Sequence, residues 1–137
     1  MSLAKSSSTK RLSVLIASPD RYFRGMVVEI LSGYGYTGVW TAETLRSLFD
    51  SLGRLDIDLV IMDENMPVLS SVEICRMIRS RNADGKIPKI VLVASKATRT
   101  LVDEARNAGF DALITKPVIP ARLAKTLEHL YQVAMAS

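Results

Sequence analysis

Short apolar runs alternate with amphipathic stretches along the chain, and this alternation predicts the secondary structure. Runs rich in valine, isoleucine and leucine indicate five buried strands: Leu12–Ala17, a stretch near Val39 and Trp40, Asp58–Met62, Lys89–Ala94 and Asp111–Thr115. These runs contain too few polar residues for a sheet with one face in water, so helices should cover both faces. Five strand-helix units in succession predict an α/β fold around a parallel sheet.

The predicted helices are marked by capping residues and by apolar faces. The caps are Asp20 before the first helix, Gly53 after the second, Gly109 after the fourth and Pro120 at the start of the fifth. Five apolar residues of the first helix share one face: Phe23, Met26, Val27, Ile30 and Leu31. Right-handed crossovers then predict a doubly wound, flavodoxin-like (βα)5 sheet in the order 2-1-3-4-5. The first and last helices should lie on one face and the middle three on the other.

Length and composition fit a single domain. The chain has 137 residues, of which 48% are hydrophobic, and this is the usual size of a domain with its own core. Residues 1–10 are polar and rich in serine and lysine, so we expect a disordered tail there and a folded domain over residues 11–137. No segment approaches the length of a membrane helix, which predicts a cytoplasmic protein with no membrane partner.

Neither the charge nor the single cysteine indicates a binding site. The net charge of +4 comes from scattered basic residues, with a modest cluster at Arg76, Arg79 and Arg81, and does not indicate nucleic-acid binding. The single cysteine, Cys75, cannot form an internal disulfide and is expected to be a small core residue.

Candidate chemistry lies where the predicted strands end, because parallel α/β sheets gather their reactive groups at the carboxyl edge. Ser18 or Asp20 follows the first strand, Asp63 the third and Lys116 the fifth. A carboxylate beside a lysine is compatible with an ion pair, a metal-assisted nucleophile or a cofactor pocket. Aspartate can attack phosphorus to form an acyl phosphate, and lysine can neutralise phosphoryl oxygens. No glycine-rich phosphate loop follows the first strand.

With these residues in view, the chain resembles the receiver domain of two-component response regulators, especially chemotaxis regulators, from Arg11 to Val133. The resemblance rests on "LVIMDENMP", which ends the third strand, and on "AGFDALITKP", which surrounds the fifth. It implies that Asp63 is the phosphoacceptor and that Lys116 contacts the phosphoryl group. It also implies that the Asn65 backbone carbonyl and Asp63 face a Mg²⁺ ion, and that the bond from Lys116 to Pro117 is cis.

The metal site departs from the family pattern. Two adjacent acids that hold Mg²⁺ in the family fall on Ser18 and Pro19, and proline has no side-chain oxygen. Asp20 is the next residue, and we interpret it as a helix cap in preference to a doubtful, weak metal ligand. Asp63 and the Asn65 carbonyl, with Glu64 or Asp20, would give a weak Mg²⁺ site at best.

The positions that change conformation in the family are also altered. The hydroxyl residue after the fourth strand falls on Val93, with Ser95 two residues further on, and the aromatic residue of the last strand falls on Leu113. The acceptor and the lysine are therefore kept while both switch positions are changed.

Two hypotheses follow. In the first, the chain is a receiver and not an enzyme. It takes a phosphoryl group from a histidine kinase or histidine phosphotransfer protein, with slow self-phosphorylation and self-dephosphorylation. It then signals to a downstream protein or output domain through the surface of the fourth helix, fifth strand and fifth helix, which is also a candidate homodimer surface. In the second, it is a degenerate receiver that binds proteins independently of phosphorylation. A DNA-binding regulator is disfavoured because no helix-turn-helix follows.

Overall fold

The computed structural model describes residues 11–81 and 87–136, so the predicted tail at 1–10 lies outside the described residues. The strands are β1 (Ser13–Ala17), β2 (Gly38–Ala42), β3 (Leu59–Asp63), β4 (Lys89–Ala94) and β5 (Ala112–Thr115). The helices are α1 (Arg21–Gly33), α2 (Leu45–Arg54), α3 (Ser71–Arg81), α4 (Arg99–Ala108) and α5 (Pro120–Ala136). The five βα units occur in the predicted order.

The sheet is parallel throughout and its strand order is β2-β1-β3-β4-β5, which confirms the predicted topology. Alternate residues of the central strands enter two separate cores. Val14 and Ile16 pack with residues of α1 and α5, whereas Leu15 and Ala17 pack with residues of α2, α3 and α4. The first and last helices therefore cover one face of the sheet and the middle three cover the other, as the sequence predicts.

Most helix ends agree with the sequence, and one does not. Asp20 caps α1 by accepting a hydrogen bond from the Tyr22 backbone N–H, and Gly109 ends α4 with a left-handed φ of 106°. The sequence predicts that Gly53 stops α2, but Gly53 lies inside the helix, which continues to Arg54. The helix ends instead where Leu55 turns to extended backbone with φ −109° and ψ 152°. A glycine ends a helix when the chain needs a left-handed residue, and the chain leaves α2 by an extended one.

The apolar faces also agree in outline. On α1, Phe23, Val27 and Leu31 are buried, but Met26 remains 37% exposed and lies at the edge of the face. On α5, Leu123 and Leu127 are buried. Cys75 is fully buried in the second core, where burial raises the pKa of its thiol to about 11, so it serves as an unreactive core residue. Within the described residues, none of the helices combines the length and the apolar character needed to span a membrane.

The arginine cluster of α3 serves largely as a structural connection. Arg79 donates from Nη1 to the Pro88 carbonyl at 2.7 Å and from Nε to the Gly109 carbonyl at 3.1 Å, and its Nη2 lies 2.8 Å from Asp111 Oδ2. The Arg81 guanidinium lies 4.8 Å from the centre of the Phe49 ring. Arg79 thus ties α3 to the loops that precede β4 and β5.

We predict that Arg79→Ala lowers the free energy of unfolding by about 2 kcal/mol, because two backbone carbonyls and a carboxylate lose a charged donor. Arg76→Ala removes the same charge from an exposed position on the same helix and should change stability by less than about 0.5 kcal/mol. Urea denaturation of the two variants measures the difference. Equal losses would show that charge, and not these contacts, matters at this helix.

Candidate functional site

Asp63 is the last residue of β3 and places a carboxylate at the end of a buried strand. All five residues of β3 are buried, and Asp63 itself is 1% exposed. The chain turns immediately afterwards, where the Glu64 backbone N–H donates to the Val93 carbonyl at 2.9 Å. The Asp63 side chain is therefore fixed at the carboxyl edge of the central strand, between the ends of its neighbours.

The described part of the chain provides three hydrogen-bond donors to the Asp63 carboxylate. Oδ1 accepts from the Asn65 backbone N–H at 3.0 Å and from the Lys116 ammonium at 2.9 Å. Oδ2 accepts from the Ser18 hydroxyl at 2.6 Å. The donors come from the chain beyond β1, β3 and β5, so the site forms when these three strands align.

These contacts keep the carboxylate ionised. Burial by itself raises the pKa of the Asp63 carboxyl, because water solvates the charged form better. The hydrogen bonds from Asn65, Ser18 and Lys116, together with the positive charge of Lys116, outweigh that effect and hold the pKa below its ordinary value of 3.8. Asp63 is therefore a deprotonated and buried group at neutral pH, which is the form that a nucleophile requires.

Lys116 reaches the site from the loop after β5. Its backbone N–H donates to the Ala94 carbonyl at 2.8 Å, which fixes the start of the loop, and the peptide bond to Pro117 is cis, as the resemblance implies. Its ammonium lies 2.9 Å from Asp63 Oδ1 and 5.3 Å from the centre of the Phe23 ring, with 27% of the side chain exposed. The predicted proximity of Lys116 and Asp63 is confirmed, and the lysine side chain is only partly buried.

Ser18, one of the two candidates after the first strand, is a direct partner of Asp63. The resemblance implies a missing acid at this position, and the structure shows that the Ser18 hydroxyl donates to Asp63 Oδ2. Ser18 is completely buried, and its Oγ also accepts the Asp20 backbone N–H at 3.0 Å. Its register directly after β1, beside β3, makes Ser18 a candidate, and its contact with Asp63 depends on how the two strands pack.

The oxygen atoms around Asp63 do not form a good set of ligands for Mg²⁺. The ion prefers six oxygens in octahedral geometry, usually including more than one carboxylate. Asp20 uses its carboxylate to cap α1, which confirms the cap interpretation, and Glu64 Oε1 accepts the Ser95 backbone N–H at 3.1 Å. The described residues contain no group of three acidic, histidine or cysteine side chains that could hold a metal. The contact of Asn65 with Asp63 is through its backbone N–H.

The three positions that the resemblance implies as switch positions have different surroundings. Val93 lies opposite Asp63 in the β3–β4 register and is fully buried in the core beneath α1 and α5. Ser95 is exposed at the end of β4, and its backbone N–H, not its hydroxyl, makes the contact to Glu64. Leu113 pairs with Leu92 on β5 and is half-buried. Of these three residues, Ser95 makes a hydrogen bond to Glu64, which follows Asp63 in the chain.

The chain is similar over most of its length to proteins of one family. A sequence model described as the response regulator receiver domain matches residues 14–128. The chemotaxis protein CheY-3 of Vibrio cholerae is 25% identical over 123 residues, which are 90% of this chain and 94% of that protein. The family match runs from within β1 into α5 and includes Ser18, Asp63 and Lys116.

Solved structures give the same result for the fold. The chemotaxis protein CheY4 of Vibrio cholerae has a TM-score of 0.79 at 27% identity, and the match covers 87% of this chain and 98% of that one. A co-crystal structure of the histidine phosphotransfer protein Ypd1 and the receiver domain of Ssk1, from Saccharomyces cerevisiae, matches with a TM-score of 0.74 and 21% identity, over 85% of this chain and 86% of that one. At the latter identity the likeness concerns the fold alone.

We predict that about 10 mM magnesium chloride raises the melting temperature by less than about 1 °C relative to EDTA. The pocket has one carboxylate already balanced by one lysine, so the ion relieves little repulsion, and a ligand at or below its Kd adds about 0.4 kcal/mol or less. Calcium chloride at the same concentration controls for ionic strength. A rise of several degrees that is specific to magnesium would show that Asp20 or Glu64 completes a metal site.

Proposed function

The chain belongs to the family of response regulator receiver domains, which serve two-component signal transduction, and from that premise we propose that Asp63 accepts a phosphoryl group which Lys116 holds. The observation that supports this most is the contact of 2.9 Å between the Lys116 ammonium and the buried Asp63 carboxylate. A buried ion pair is costly unless its charges are well partnered or used. Here the buried carboxylate accepts three hydrogen bonds, while 27% of the Lys116 side chain is exposed.

The chemistry follows from the two side chains. An oxygen of Asp63 attacks phosphorus, the new P–O bond gives an acyl phosphate, and the bond from phosphorus to the donor's leaving group breaks with its electron pair on that group. When the donor is a phosphohistidine, the leaving group is the imidazole nitrogen. Lys116 then donates its hydrogen bond to a phosphoryl oxygen, because the negative charge lies on the phosphoryl group once the carboxylate is phosphorylated. None of these steps depends on a bound metal.

On this proposal, the protein is a phosphoacceptor and does not turn over a substrate of its own. Because Asp63 and its described neighbours offer a divalent cation few oxygen ligands, we expect self-phosphorylation by small phosphodonors, and self-dephosphorylation, to be slow. Asp20, Val93, Ser95 and Leu113 take no part in the phosphoryl transfer, and Asn65 contributes its backbone N–H. Asp63 and the Asn65 carbonyl would hold Mg²⁺ only weakly, and the transfer that we propose does not use the ion.

For the partners we propose a histidine kinase or a histidine phosphotransfer protein as the donor, in the cytoplasm. The co-crystal of Ypd1 with the receiver domain of Ssk1 is one fold-level precedent for such a donor. We assign the output to the α4-β5-α5 face, which would bind a downstream protein, an output domain or a second copy of this chain. No nucleic-acid or membrane partner is proposed for this domain.

Intact-mass measurement after incubation with a small phosphodonor tests the proposal. We predict that the protein gains the mass of one phosphoryl group and that Asp63→Asn abolishes the gain. Asp50→Asn makes the same change at an exposed position of α2 and should leave the gain unaltered. No gain by the unmodified protein, with the small donor or with a phosphorylated histidine domain, would favour the alternative of a phosphorylation-independent binding module.

A further inference from the structure

We propose that Ser18 is a positioning residue for the acceptor, because its hydroxyl holds Oδ2 of Asp63 and thereby presents Oδ1 to the phosphoryl donor without a metal ion. This inference rests on the proposed function of Asp63. On this inference, a neutral hydroxyl orients the Asp63 carboxylate. The family resemblance implies an acid that binds Mg²⁺ at the same position.

The direction of the hydrogen bond is fixed by its two neighbours. Ser18 Oγ lies 3.0 Å from the Asp20 backbone N–H, which can only donate, so the hydroxyl oxygen accepts there. It lies 2.6 Å from Oδ2 of the ionised Asp63, which can only accept, so the hydroxyl proton points to the carboxylate. This is a short charge-assisted hydrogen bond, and it is shielded from water because both residues are buried.

The serine itself is held by the elements around it. Its backbone N–H donates to the Ala42 carbonyl at 3.0 Å at the end of β2, and its carbonyl accepts from Arg24 Nη1 at 2.8 Å. Arg24 also lies 3.4 Å from the Glu43 carboxylate. Ser18 is therefore anchored to β2 and to α1, and it can fix the orientation of Asp63 instead of following it.

The two oxygens of Asp63 consequently have different roles. Lys116 contacts Oδ1, and a phosphoryl group with its negative oxygens will approach beside this cation. Oδ1 then forms the bond to phosphorus while the donor's leaving group departs with its electron pair. Oδ2 becomes the carbonyl oxygen of the acyl phosphate and keeps its hydrogen bond from Ser18. Because the hydroxyl is neutral, the pocket holds one carboxylate and needs no divalent cation to offset a second.

The test measures the rate of phosphorylation by a small phosphodonor, in EDTA and in magnesium, over a range of donor concentrations. For Ser18→Ala we expect the maximal rate in EDTA to fall roughly tenfold, which is the effect of one lost hydrogen bond of about 1.4 kcal/mol. The donor concentration at half-maximal rate should not change, because Ser18 does not touch the donor. Ser32→Ala, at an exposed position of α1, is the matched control and should behave as the unmodified protein.

Ser18→Asp provides a second arm that does not depend on the alanine variant being folded. A second carboxylate beside Asp63 should lower the melting temperature in EDTA through repulsion, and magnesium should raise it by several degrees. The same variant should become dependent on magnesium for phosphorylation, whereas the rate of the unmodified protein should change less than about twofold.

The outcomes separate this inference from the proposed function. If the unmodified protein is phosphorylated on Asp63 but Ser18→Ala reacts at the same maximal rate, the role of Ser18 is refuted while the acceptor stands. A change in the half-maximal donor concentration alone would likewise contradict a positioning role, since it would mean that Ser18 contacts the donor. If the melting temperature of Ser18→Asp does not respond to magnesium, the hydroxyl does not stand in the place of a metal-binding acid. If the unmodified protein gains no phosphoryl group, the proposed function itself fails.

Discussion

The ion pair between Asp63 and Lys116 is the interaction on which the site depends. A carboxylate that is 1% exposed is stable inside a protein when a positive charge and hydrogen-bond donors replace the water it has lost. Here the charge comes from the loop after β5 and the donors come from the loops after β1 and β3. The pair therefore requires the carboxyl ends of three strands to meet, and the doubly wound order of the sheet brings them together.

The number of acids in the pocket distinguishes this receiver domain from the family pattern that its sequence resembles. Where that pattern has two adjacent acids, this chain has Ser18 and Pro19, and Asp20 is occupied as a helix cap. One buried carboxylate then faces one lysine and one hydroxyl, so the local charge is close to balanced without a metal. On our proposal the pocket works without a cation that would help to neutralise a phosphoryl group, and this is the physical reason to expect slow chemistry.

The fold could be predicted almost completely from the sequence, because strict alternation of apolar runs and amphipathic helices allows few topologies. The error at Gly53 arose because a glycine near the end of a helix does not say whether the chain will leave by a left-handed or an extended residue. The acceptor and its lysine could be located from strand ends and family motifs. Their roles stay predictions until phosphorylation is measured.

The contact of Ser18 with Asp63 could not be predicted in the same way. Sequence register showed which side chain was missing at this position, but the partner of the remaining hydroxyl depends on packing between β1 and β3. The same holds for Glu64, whose hydrogen bond from the Ser95 backbone N–H could not be read from the sequence. A motif identifies the residues that differ from a family. The three-dimensional arrangement decides what they do instead.

A double-mutant cycle on Asp63 and Lys116 tests most directly whether the pocket is balanced without a metal. The free energy of unfolding is measured for the unmodified protein, Asp63→Asn, Lys116→Met and the double variant, in EDTA and again in magnesium. We expect a favourable coupling of about 2 kcal/mol between the two side chains, equal in the two buffers. A coupling near zero in EDTA, or one that changes strongly when magnesium is added, would contradict the view that Lys116 and Ser18 take the place of the metal at Asp63.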